Sequence, residues 1–150
     1  MFLGKVRKLK GVDKTYIRDR EHIDDYLSAE AIGRVRFGKL CFYYRDLGVK
    51  HYVPYDYIER AFIRISECQP DDSPAYYYYR LILVHGDREF ANLIFNKEQE
   101  ADDALARLSA LCPGMAVGKE IRAFPHETIA SLIFSKYFFK IPMDAVVTLE

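Results

Sequence analysis

Between residues 32 and 95 the apolar positions fall in short runs rich in β-branched and aromatic residues: "IGRVRF", "KLCFYYR", "VKHYV", "YIERAFIRISE", "YYYYRLILV" and "EFANLIF". Runs of this length and composition read as strands. Turn-forming residues separate them, at Gly38, "RDLG" (45–48), Pro54, "QPDDSP" (69–74) and "HGD" (85–87). Connections of a few residues join strands that lie side by side and run in opposite directions, so the pattern predicts an antiparallel meander.

The period then changes. Ala101, Ala104, Leu105, Leu108, Leu111 and Cys112 recur at helical spacing, with Asp102, Asp103 and Arg107 off that stripe. Asn96 and Gln99 are placed as a capping box, and Pro113 and Gly114 end the helix. Ahead of the strands, "DREHIDDYLSAEAI" predicts a short helix with Ile23, Tyr26 and Leu27 on one face, inside an N-terminal segment (1–31) whose structure the pattern leaves open. Behind the long helix, "PHETIASLIFSKYFF" predicts another with Pro125 in its first turn. Ile133, Phe134, Tyr137, Phe138 and Phe139 spread around its circumference, which marks it for burial, either capping the domain or forming a contact between copies.

Strand parity divides the four consecutive tyrosines. Tyr77 and Tyr79 share a face with Leu81 and Leu83, the expected core side, while Tyr76 and Tyr78 accompany Arg80 on the other. Paired with the preceding strand, that outer face gathers Arg60, Phe62, Arg64, Tyr76, Tyr78 and Arg80. Guanidinium groups interleaved with rings suit an anionic, flat partner, and they equally stabilise an exposed sheet by cation–π contacts.

Charge narrows these readings. Twenty-two basic residues balance twenty-two acidic ones, so no long-range field draws the whole molecule to a polyanion, and nucleic acid is disfavoured as a partner. Cys41, Cys68 and Cys112 are odd in number and form no metal-ligand pattern, as expected of a reduced cytoplasmic chain with no metal and no cofactor. No uncharged run approaches the ~18 residues needed to span a bilayer. "KVRKLK" near the N-terminus reads as a solvated segment or a weak electrostatic anchor. His51 and Asp56 flank Pro54 with Cys41 on a neighbouring strand, but one strand and a turn seldom supply the mutual geometry of nucleophile, base and orienter. No catalytic motif organises the four histidines, and no catalytic residue is assigned.

Strands followed by one amphipathic helix over residues 32–112 resemble the pleckstrin-homology-like fold of bacterial type. In "HYVPYDYIERAFIRI", Pro54 and Ile58 match the place where one strand ends and the next opens, and "EFANLIFNKEQEADDALARLSAL" looks like the closing strand and helix. The resemblance implies a mainly β protein with α elements, an antiparallel two-sheet barrel closed by the helix. It also implies a single domain over 1–118 with a C-terminal extension over 119–150, and a non-catalytic scaffold for a protein or peptide partner or for a second copy. Lipid-binding members carry basic residues on an extended loop between the first strands. Here Arg34, Arg36 and Lys39 supply the charge, but the turn at Gly38 is too short for such a loop, which weighs against lipid binding; the alternative is an anionic ligand, a phospholipid headgroup or other phosphate, on the basic-aromatic face of Arg60, Arg64 and Arg80.

Overall fold

A computed structural model describes residues 6–69, 74–125 and 147–148. The first half of the chain forms β1 (Leu9–Lys10), β2 (Tyr16–Ile17), α1 (Arg20–Ser28), β3 (Glu30–Ile32), β4 (Val35–Phe37), β5 (Cys41–Asp46) and β6 (Val49–Pro54). After a 3-10 turn at Tyr55–Tyr57 come β7 (Arg60–Gln69), β8 (Tyr76–His85), β9 (Arg88–Phe95), α2 (Glu98–Leu111), β10 (Ala116–Pro125) and β11 (Val147–Thr148). Five of the six apolar runs each carry one strand, and "IGRVRF" is split by a turn at Gly33 between the end of β3 and β4. The protein is mainly β with α elements.

Two sheets carry the fold. The first has the order β2-β1-β6-β5-β4-β3 and the second β11-β10-β7-β8-β9. Both are mixed rather than purely antiparallel. β1 lies parallel to β6, and β10 lies parallel to β7 in continuous register from Ala116↔Arg60 to Pro125↔Gln69. Among the described residues the two sheets do not close into a barrel.

The meander β7–β8–β9 continues through α2, which crosses the second sheet and delivers β10 to the far side of β7. Such a crossover is the usual way to return a strand in parallel. It also lays the apolar stripe of α2 on the sheet. Ala101, Ala104, Leu105 and Leu108 pack in one cluster with Ala61, Ile63, Leu81, Leu83 and Leu93, and Val35, Phe37, Phe42, Tyr44 and Val53 join it from the first sheet. Lys97 rather than Asn96 occupies the N-cap, with no side-chain capping bond, and Gln99 turns instead to Asp103.

Two features depart from the sequence pattern. β10 extends to Pro125, so the boundary expected at 118 falls inside a strand of the sheet. Its polarity is inverted, with Glu120 buried and Ile121 71% exposed, which hides the strand from hydrophobic periodicity. The other departure is Asp25, a charged residue buried on the inner side of α1. Its carboxylate accepts hydrogen bonds from the Lys39 N–H (2.8 Å), the Leu40 N–H (3.1 Å) and the Tyr43 hydroxyl (2.6 Å). This clamp holds the β4–β5 turn against the helix. Gly38 is required there because a Cβ would meet the Asp25 carboxylate and the Tyr43 ring. Pro125, expected in the first turn of a C-terminal helix, is instead the last residue of β10, and the rest of that expected helix, 126–139 with Ile133, Phe134, Tyr137, Phe138 and Phe139, lies outside the described residues.

A basic end of the first sheet as candidate site

Parity places Arg60, Phe62, Arg64, Tyr76, Tyr78 and Arg80 on one face of the second sheet, as expected, but that face is not an open platform. Phe62, Arg64 and Arg80 are buried, and Phe62 forms a small cluster with Ile82 and Val84. The Arg64 guanidinium is engaged by Glu89 (2.8 Å) and Glu120 (3.3 Å) and lies over the Phe62 ring. Arg60 and Tyr78 are half-buried, and Tyr76 is half exposed. On the opposite face Tyr79 packs against the main core, whereas Tyr77, nearer the loop, is half exposed. Arg64, buried and held by two carboxylates, has an internal role; an external anion would have to displace Glu89 and Glu120 from it.

His51, Asp56 and Cys41 do not assemble. His51 pairs across the ladder with Tyr44 and stacks on its ring at 4.7 Å, while Cys41 lies opposite Pro54. Burial holds the His51 imidazole below its ordinary pKa. Burial, reinforced by the Asp25 charge, pushes the Cys41 thiol up to about 11, the wrong direction for a nucleophile. Among the described residues no three His, Cys, Asp or Glu side chains are grouped as metal ligands, and no helix is long and apolar enough to cross a membrane.

The first sheet gathers charge in a different place. β5 and β6 are joined by Asp46-Leu47-Gly48-Val49, in which Leu47 (φ 51°) and Gly48 (φ 77°) both have positive φ. This is the mark of the two-residue turn whose twist matches the strands. Arg45 and Lys50 face each other immediately behind it. One strand further along, Gly33 (φ 59°) turns β3 into β4 and leaves Arg34 beside Arg45, whose N–H donates to the Arg34 carbonyl at 3.2 Å. On the other side β1 runs parallel to β6 with Lys10 opposite His51, so Arg7 and Lys8 come alongside the start of β6.

The consequence is a row of cations along one end of the sheet. β1, β6, β5 and β4 are adjacent, and three strand spacings cover about 14 Å. Two clefts open there and meet at Gly48. One, about 340 Å³, is lined by Arg34, Arg45, Gly33, Asn96 and Glu100, with Leu47 at its rim. The other, about 360 Å³, is lined by Arg7, Lys8, Lys50 and Tyr16, and the Lys8 ammonium stands 4.4 Å over the Tyr16 ring. Five basic side chains thus line the two clefts, with Glu100 as the carboxylate among them. None of the five is tied into an ion pair within the described chain. A third cleft, about 510 Å³, lies at the end of α2, where its charged groups are Asp56 and Glu59.

Sequence reasoning found the parts of this end without joining them. The β4–β5 pairing sets Arg34 beside Arg45, and the parallel β1–β6 pairing brings Arg7 and Lys8 of the basic N-terminal stretch alongside them. One local signal was available: a leucine stands where a two-residue turn before glycine favours asparagine or aspartate. A scan of protein-family models finds no match to this chain, and searches of curated proteins and of solved structures find none either.

Proposed function

We propose that the protein is a non-catalytic interaction module that engages an anionic partner through the basic end of its first sheet. One observation carries this reading. In a chain of zero net charge, Arg34, Arg45, Lys50, Arg7 and Lys8 converge on adjacent strand ends, around two clefts that hold one carboxylate, Glu100, and none of the five is in an ion pair among the described residues. Unpaired guanidinium groups in a polar cleft favour carboxylate or phosphate by charge-assisted, bidentate hydrogen bonds. Near an anionic surface each Lys or Arg contributes about 1 kcal/mol, so the row supports a moderate, salt-sensitive affinity. Glu100 within the first cleft opposes indiscriminate anion binding there.

The test is salt-dependent retention on immobilised heparin, with inorganic phosphate as competitor. The combined change Arg34→Glu, Arg45→Glu and Lys50→Glu is expected to move elution to much lower salt, whereas Arg107→Glu on α2 leaves it nearly unchanged. Equal elution of the two variants would end the proposal. A pleckstrin-homology-like domain remains our reading of 32–112, supported by the run of strands followed by the amphipathic α2, with a protein or peptide partner as the wider class of ligand.

A further inference from the structure

We infer that the Leu47 turn is an apolar tip that enters an anionic lipid surface while the flanking clefts hold headgroup phosphates; this rests on the anionic-partner reading above. Leu47 is 93% exposed, the most exposed large apolar side chain among the described residues, and it packs into none of the core clusters. It also holds φ 51°, a conformation that a leucine adopts only at a cost and that asparagine or glycine would accept. No packing contact in the described fold uses the side chain. Backbone strain kept at a solvent-facing position, without a packing return, is a feature of contact sites.

The surroundings of the tip decide the kind of partner. Basic clefts lie on both sides of the leucine, and Tyr16, 40% exposed, lines one of them. A bilayer presents this order of layers, with phosphates outside and acyl chains beneath, and tyrosine is enriched at the boundary between them. An apolar tip flanked by cations on both sides fits a planar, layered surface without needing a shaped pocket in the partner. An acidic protein is the competing occupant.

The chain has no tryptophan, so Leu47→Trp installs a single emission reporter at the tip. With vesicles of phosphatidylcholine containing phosphatidylserine, its emission is expected to shift to the blue and to be quenched by bromine atoms on the acyl chains. Phosphatidylcholine vesicles alone should do neither. Leu47→Asn should weaken cosedimentation with the anionic vesicles about tenfold while the fold becomes more stable, so lost binding cannot be attributed to unfolding. Cosedimentation that depends on Arg34 and Arg45 with an unshifted tryptophan emission would overturn the insertion and leave the anionic-partner reading standing. So would charge-dependent heparin retention without any vesicle binding, which would point to an acidic protein. Loss of both heparin retention and vesicle binding would overturn the two together.

Discussion

Replacing Asp25 by asparagine keeps the shape of the side chain and removes one of its acceptors, which makes it a sharp test of how α1 is fastened to the first sheet. Oδ1 accepts from the Lys39 N–H, and Oδ2 accepts from both the Leu40 N–H and the Tyr43 hydroxyl. An amide oxygen at the Oδ2 position keeps Leu40 and Tyr43 but turns the NH2 group toward the Lys39 N–H. The reverse placement strands Leu40 instead. One backbone donor is therefore unmet in either orientation, at about 1–3 kcal/mol, and the bonds that survive lose their charge assistance at about 1 kcal/mol each. Asp25→Asn is expected to lower the unfolding free energy by about 3 kcal/mol.

Urea unfolding followed by circular dichroism would show this as a lower midpoint with an unchanged slope. For a chain of 150 residues the loss corresponds to a fall in Tm of about 6–12 °C. The pH dependence supplies a second reading. Burial alone would raise the Asp25 carboxyl, but hydrogen bonds from Tyr43, Lys39, Leu40 and Cys41 outweigh it and hold it below the ordinary 3.8. A carboxylate depressed in the folded state contributes stability that is complete above its unfolded pKa and is lost as pH falls through the folded one. The gap between wild type and Asp25→Asn should thus persist down to 3.8 and close only below it. A loss under about 1 kcal/mol, or a gap already closed above that pH, would refute the account of the clamp.

Other changes probe neighbouring parts. Gly38→Ala forces a methyl group into the Asp25 carboxylate and the Tyr43 ring and should cost about 1–3 kcal/mol in the same urea assay. Arg64→Ala removes the guanidinium that the buried Glu120 and the half-buried Glu89 share and should cost about 3–5 kcal/mol; Arg64→Met with Glu120→Met should restore much of that. Leu47→Asn should raise the midpoint by the equivalent of about 1 kcal/mol, because asparagine accepts positive φ more readily than leucine. Cys41, with its thiol pushed up to about 11, should resist alkylation in the native protein at neutral pH and react on unfolding, as peptide mapping of labelled chains would show.

The strands of the meander and the stripe of α2 were legible because each buries one face, and burial of one face writes a period of two or of 3.6 into the sequence. β10 was not, because it inverts the rule: Glu120 points inward to Arg64, and Ile121 points to solvent. The same pairing explains why the arginine face was read as open. Parity assigned Arg64 and Arg80 to the correct side, but alternation reports which residues share a side and says nothing of what lies over them. Asp25 was hidden for a related reason. A charged residue on a short helix looks solvated until the turn it binds, 14 residues later, is folded beneath it.

The basic end raises a harder question, since its charges are ordinary one by one and matter only together. Elsewhere the protein neutralises cations internally: Lys119 with Glu98 and Asp102, Arg107 with Glu30, Arg64 with Glu89 and Glu120. At the strand ends around Gly48 it does not, and there the turn also carries a strained, exposed leucine. Those two facts assign opposite signs to mutations. Changes in the Asp25 clamp or the Arg64 network should lower stability and, through it, binding. Changes at Leu47 should raise stability and lower binding, and charge reversal at Arg34 and Arg45 should lower binding while leaving stability near its starting value, because neither side chain has an ion-pair partner among the described residues to lose. Stability alone would favour asparagine before Gly48. In the proposed reading, the leucine that stands there against that gradient is accounted for by the contact its tip makes.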